Sequence, residues 1–165
     1  MSDDDNTERG PVSPEKAMQQ AAEFLSVFAG YEFDLGDGQK WTLPNPHFLP
    51  PVMKRRFLEH MRFMAKGLDQ ETVTHPVTNK RSKQRVWPPE YKGKLINEDE
   101  LLCIALMADS DDGVAERDAY FASGALPPTY ERFLAAGGVP GQIDVQWSVM
   151  NLQMEERRRR DSKSS

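Results

Sequence analysis

The chain has 165 residues, a formal net charge of −5 and one cysteine, with 38% apolar and 28% charged residues, which is enough for one domain with or without tails. Its longest uninterrupted apolar run, Leu101 to Ala108, spans eight residues, where a membrane-crossing helix needs roughly twenty. A lone cysteine, Cys103, excludes an internal disulfide and fits a reducing cytoplasm.

The first thirteen residues are polar and acidic, without an apolar stretch, and are predicted to be a disordered tail rather than a secretory leader. Ser13-Pro14-Glu15 then opens a helix with a hydroxyl cap, a tolerated proline and an acid in the first turn. Met18, Ala21, Ala22, Leu25 and Phe28 give it an apolar stripe, and Gly30 ends it. Residues 31–43 change period: YEFDL and KWTL alternate around GDGQ, which predicts a β-hairpin with one apolar face. The GDG triplet lacks the glycine spacing of a phosphate loop.

Pro44, Pro46, Pro50 and Pro51 make a stiff connection. A second helix is expected from Pro50 or Pro51 to near Gly67. Its inner stripe would be Met53, Phe57, Met61 and Met64, with Leu58 alongside, and Lys54, Arg55, Arg56, Glu59 and Arg62 would face solvent. Residues 67–94 have no apolar period and read as a long flexible basic loop, with Trp87 and Tyr91 as local anchors. Bases interleaved with aromatics can bind nucleic acid. Residues 80–94 contain no recognisable binding motif, so nucleic acid is not expected as a partner, and an adaptor using this stretch stays as a second alternative.

Asn97 caps the next helix, and Glu100 occupies the capping-box position. Leu101, Ile104, Ala105 and Ala108 form one stripe, while Leu102, Cys103 and Leu106 make the helix apolar nearly all round and therefore central. Asp109–Gly113 breaks it. A short helix covers 114–123 and stops at Gly124. Pro127-Pro128 opens another, carrying Tyr130, Phe133 and Leu134, which stops at Gly137-Gly138. After Pro140-Gly141 the final helix places Ile143, Trp147, Met150 and Met154 at steps of four, three and four. Arg157 to Arg160 repel one another, so residues 157–165 are expected to fray into a basic tail. The fold class is mainly α: one domain over residues 14–156, with five or six helices and one N-terminal hairpin.

Charge is blocked along the chain. Residues 54–94 hold eleven bases and four acids, and residues 95–156 hold twelve acids and two bases. Such blocks suit solvated helix faces, self-association or a charged partner. His47, His60 and His75 lie too far apart in sequence for a recognised metal motif, and none is spaced to pair with Cys103. Cys103 lies in the most apolar helix, the setting of a packing residue rather than a nucleophile. The acids of 109–118 lack a calcium-loop pattern. No catalytic residue, metal ligand or cofactor site is expected, and the chain is not expected to be an enzyme. Eight methionines suit either an irregular core or a surface that re-packs around partners. The partner-binding candidates are Ile143, Trp147, Met150 and Met154, followed by Met53, Phe57, Met61 and Met64.

YERFLAAGGVPGQIDVQWSVMNLQM, residues 130–154, resembles the end of the tail assembly chaperones of long-tailed phages that infect actinobacteria. Tyr130, Phe133, Gly137, Gly138 and Trp147 match an aromatic helix, a glycine break and a helix with a central tryptophan. FDLGDGQKWTLPNPHFLPP and YKGKLINEDELLCIALMADS are similar to the family's strand–turn–strand–proline element and middle helix. The resemblance spans residues 31–154, while residues 14–29 and 80–94 are not matched. It implies a non-enzymatic assembly factor in the host cytoplasm that keeps the tape-measure protein soluble while the tail tube polymerises, and that is absent from the mature virion. It further implies a longer form made by ribosomal frameshifting, which recruits the major tail tube subunit. The alternative is a head–tail connector or tail-completion protein.

Overall fold

The computed structural model describes Pro11 and residues 13–163, the side chains of 22–29 excepted. Among these residues lie six α-helices and three two-stranded antiparallel sheets, so the chain is mainly helical. Helix α1 (Pro14–Ala29) begins where Ser13 Oγ accepts the Lys16 amide at 3.2 Å, satisfying a donor the helix leaves free. Met18, the first member of the expected stripe, is 74% exposed, and Ala21 is exposed too. The side chains of Ala22, Leu25 and Phe28 lie outside the described residues, as does the expected disorder of the N-terminal tail, Pro11 and Ser13 apart. Gly30 has φ of 81°, and a Cβ there would collide with the Leu43 carbonyl.

That tight turn leads into β1 (Tyr31–Phe33), which pairs with β2 (Trp41–Leu43), Tyr31 opposite Leu43 and Phe33 opposite Trp41. Asp34 and Asp37 hold the turn by accepting the Gly36 and Gln39 amides at 2.7 and 3.1 Å, and Asp37 also accepts Trp41 Nε1 at 3.0 Å. Trp41 and Leu43 are buried, and Trp41 meets Phe133 edge-on at 5.7 Å.

Helix α2 (Pro51–Arg62) runs into a π-helical turn, Phe63–Gly67. Its inner face differs from the expected one. Arg56, assigned to solvent, is buried at 4% exposure, whereas Met61 and Leu58 are exposed. The buried or half-buried positions are Met53, Arg56, Phe57, Glu59, His60, Phe63 and Met64. Arg56 turns inward because unpaired backbone carbonyls await it. Its Nε and Nη2 donate to the carbonyls of Ala105 and Ile104, each at 3.0 Å, Nη1 donates to the Ser110 carbonyl, and Nη2 meets Glu116 at 2.7 Å.

Residues 67–94 are not a flexible loop. Gln70–Thr74 (β3) and Arg81–Arg85 (β4) form a five-residue ladder, and Glu90–Tyr91 (β5) pairs with Lys94–Leu95 (β6). Asp69 ties the two hairpins together. Its amide donates to the Glu90 carbonyl, its carbonyl accepts the Val86 amide, and its carboxylate accepts the Lys92 and Gly93 amides at 2.9 and 2.8 Å. Tyr91 anchors the foot, with ring centroids 5.1 Å from Phe63 and 4.6 Å from Phe121. Trp87, the other expected anchor, is 78% exposed.

Helix α3 (Glu98–Leu106) is buried at every position from Leu101 to Leu106 and is the centre of the molecule. Asn97 Oδ1 accepts the Glu100 amide at 3.2 Å, while the Glu100 carboxylate accepts the Tyr130 hydroxyl at 3.2 Å. Helix α4 (Gly113–Ser123) starts on Asp112, whose carboxylate accepts the Ala115 amide at 3.0 Å, and ends at Gly124 in the left-handed region. Helix α5 (Pro128–Ala135) is capped from afar: Asp109 accepts the Thr129 amide and hydroxyl at 2.9 and 2.6 Å. Gly138 must lack a side chain because a Cβ would strike the Phe133 ring.

Helix α6 (Pro140–Lys163) continues through all four arginines. The expected fraying fails because Arg and Glu are good helix formers. In addition, Arg160 lies 3.9 Å from Glu156 one turn back, and Arg158 Nη2 lies 3.3 Å from His47 Nδ1.

Candidate functional site

Among the described residues, strand β1 has a hydrogen-bonding partner strand on one side only. Helix α6 passes beside it, and between them lie two adjoining hollows of about 450 and about 400 Å³ that share Tyr31 and Gln146. Phe33, Ile143 and Val145 line the first, and Met150, Gln153 and Met154 the second. Amides rather than ions supply the polarity through Gln142, Gln146, Gln153 and Asn45, and among the described lining residues only Arg157, at the far end, is charged. An apolar floor with neutral donors and acceptors along its rim accepts an apolar helix or strand without burying an unpaired charge.

The predicted partner stripe divides between two roles. Ile143, Trp147 and Met150 are buried in the core, and Trp147 packs on Phe57 with centroids 5.1 Å apart. They pack within the fold, and Ile143 and Met150 touch the groove only from below. Met154 is half-buried and lines the groove. Of the secondary candidates, Met53, Phe57 and Met64 pack against the core, and Met61 is exposed on α2, on a different element from the groove.

The outward residues of α6 are others. Val145, Val149 and Leu152 recur at steps of four and three and are all exposed. Val145 also lines the first hollow, whereas Val149 and Leu152 line neither and carry the exposed stripe around the helix away from the groove. Their spacing is a second helical stripe in the same sequence, set off from the buried one.

Several reactive groups are paired or shifted by their surroundings, while His47 Nε2 is buried without a hydrogen-bond partner among the described residues. Burial, reinforced by Asp99, Glu100 and Asp144, pushes the Cys103 thiol up to about 12, so it stays protonated at neutral pH. Burial, with Arg117 nearby, pushes His60 down to about 4. His75 Nδ1 accepts the amides of Val77 and Thr78, both at 3.2 Å, closing the β3–β4 turn. Desolvation lowers the pKa of Arg56, opposed by Glu116, Asp109 and Asp111. Among the described residues no three His, Cys, Asp or Glu side chains are grouped to hold a metal ion, and no helix is long and apolar enough to cross a membrane.

Tyr130, Phe133 and Trp147 are all core residues, with Gly138 packed against Phe133. No family model, no curated protein and no solved structure matches the chain.

Proposed function

We propose that this protein is a phage tail assembly chaperone that holds apolar faces of the tape-measure protein in the groove between β1 and α6. The supporting observation is the groove itself: apolar along its floor, free of charge over most of its length, and edged by the exposed Val145. A long amphipathic client helix offers apolar anchors at three- and four-residue steps, the usual chemistry of helix-in-groove recognition. Met154 supplies an adaptable contact for a client whose sequence varies along its length. In this account the protein acts by binding in the host cytoplasm, without a cofactor or turnover. The longer frameshifted form and the tail tube subunit as its partner follow from the family resemblance.

The test is co-expression with a long amphipathic fragment of a tape-measure protein. Wild-type protein should keep a tape-measure fragment soluble and co-purify with it. A variant carrying Val145→Asp, at the exposed edge of the groove, should melt like wild type and leave the fragment insoluble. A fragment that stays equally soluble with the folded variant would remove the groove from the account.

A further inference from the structure

The β3–β4 ribbon carries a second surface, independent of the groove and of the chaperone proposal. In an antiparallel ladder, directly paired residues share a face and alternate along each strand. The register pairs Gln70 with Arg85, Thr72 with Lys83 and Thr74 with Arg81. One face of the ribbon therefore holds Arg81, Lys83 and Arg85 opposite two hydroxyls and an amide, with no carboxylate. Glu71 and Val73 fall on the other face, where Gln84 Nε2 bonds Glu71 at 3.3 Å. All six residues of the basic face are exposed. Arg85 lies 3.5 Å from Glu98, and among the described residues Arg81 and Lys83 have no ion-pair partner within 4.0 Å.

We infer that this face binds duplex DNA through its major groove. Three features choose that occupant. The face contains no apolar side chain, so it lacks the buried centre that a protein interface needs. It contains no ring, so it offers no stacking platform for a single strand; Trp87 lies beyond the ladder. It is a two-stranded ribbon about 17 Å long with donors about 7 Å apart along each strand. The major groove of B-DNA, about 12 Å wide, admits such a ribbon. The deep, narrow major groove of duplex RNA does not. The sequence alone shows a basic stretch without a recognition motif; pairing in this register turns alternate bases into one row.

Phosphate contacts dominate such binding and release counterions, at about 0.9 of a unit of log–log salt slope per contact. The acid-rich segment 95–156 opposes the approach of a polyanion, which places the affinity in the non-specific range, on the order of 10⁻⁵ M.

The test is fluorescence anisotropy of a labelled DNA duplex of about 20 base pairs, titrated with the full chain over a salt series. The slope should be about −2 to −3. Arg81→Ser with Lys83→Ser should weaken low-salt binding at least tenfold and flatten the slope by about 2, with an unchanged melting temperature. Thr72→Lys, on the same face, should steepen it by about 1. The inference is overturned if the duplex does not bind at low salt, if neither variant moves the slope, or if oligo-dT binds more tightly than the duplex and loses that binding with Trp87→Ala.

Discussion

Arg56 on α2 and Glu116 on α4 meet at 2.7 Å, with side-chain exposures of 3% and 17%. Sixty residues separate them in sequence, and between them they close the end of α3. The guanidinium occupies the carbonyls of Ile104, Ala105 and Ser110. Glu116 accepts the Ser110 amide and hydroxyl at 3.1 and 2.5 Å. Arg56→Met should destabilise the fold by about 3 kcal/mol, because it strands a partly buried carboxylate and three carbonyls. Replacing both residues with apolar ones should cost less than the two single changes summed, since neither charge is then left alone. Urea denaturation of the four proteins in the cycle measures this, and strict additivity would mean that the pair is not coupled.

His60 gives stability a pH dependence. Its folded pKa of about 4 lies below the ordinary 6.5, so the unfolded chain binds the proton more readily. The stabilising contribution is complete above about pH 6.5 and is lost as pH falls towards 4, on the order of 2 kcal/mol allowing for partial exposure. His60→Gln should remove that portion of the acid limb while leaving the carboxylate-driven loss at lower pH. Parallel limbs for the two proteins between pH 6.5 and 4 would contradict the burial of a neutral imidazole.

Asp69 holds both hairpins by their backbones. Asp69→Ala should cost about 1–2 kcal/mol through the two unpaired amides of Lys92 and Gly93. It should also speed hydrogen exchange at the Val86 amide, which donates to the Asp69 carbonyl. Unchanged exchange there would show that the ladder stands without this anchor.

Much of the helical framework is legible in the residues. Ser13-Pro14, Asn97, Gly124 and Pro127-Pro128 mark helix ends by capping chemistry that acts within a few positions, and Leu101–Leu106 declares a central helix by being apolar on every side. The remainder depends on distant partners. Arg56 reads as a surface residue because the carbonyls that draw it inward lie about fifty positions on. The β3–β4 ladder is exposed on both faces, so it lacks the apolar alternation that marks a strand. Helix α6 carries two stripes, and its sequence alone does not say which one the core takes. Ile143, Trp147 and Met150 are inside because α2 and α3 lie there, which leaves Val145, Val149 and Leu152 exposed.

That division makes a direct prediction for the fold. Met150→Asp puts a charge at a position 5% exposed and should unfold the protein or cost more than about 4 kcal/mol. Leu152→Asp, at 60% exposure, should stay within about 0.5 kcal/mol of wild type. Equal thermal melts for the two variants would mean that α6 is rotated from the orientation described.

The central claim is that the groove between β1 and α6 holds a client helix. Its most direct measurement is calorimetric titration of a synthetic amphipathic tape-measure segment into wild type and into Tyr31→Ser/Val145→Asp, which changes two exposed lining residues of the groove, with both melts recorded. The account predicts that the variant keeps the wild-type melt and loses at least tenfold in affinity, about 1.4 kcal/mol or more. Equal affinities for two equally folded proteins would contradict it.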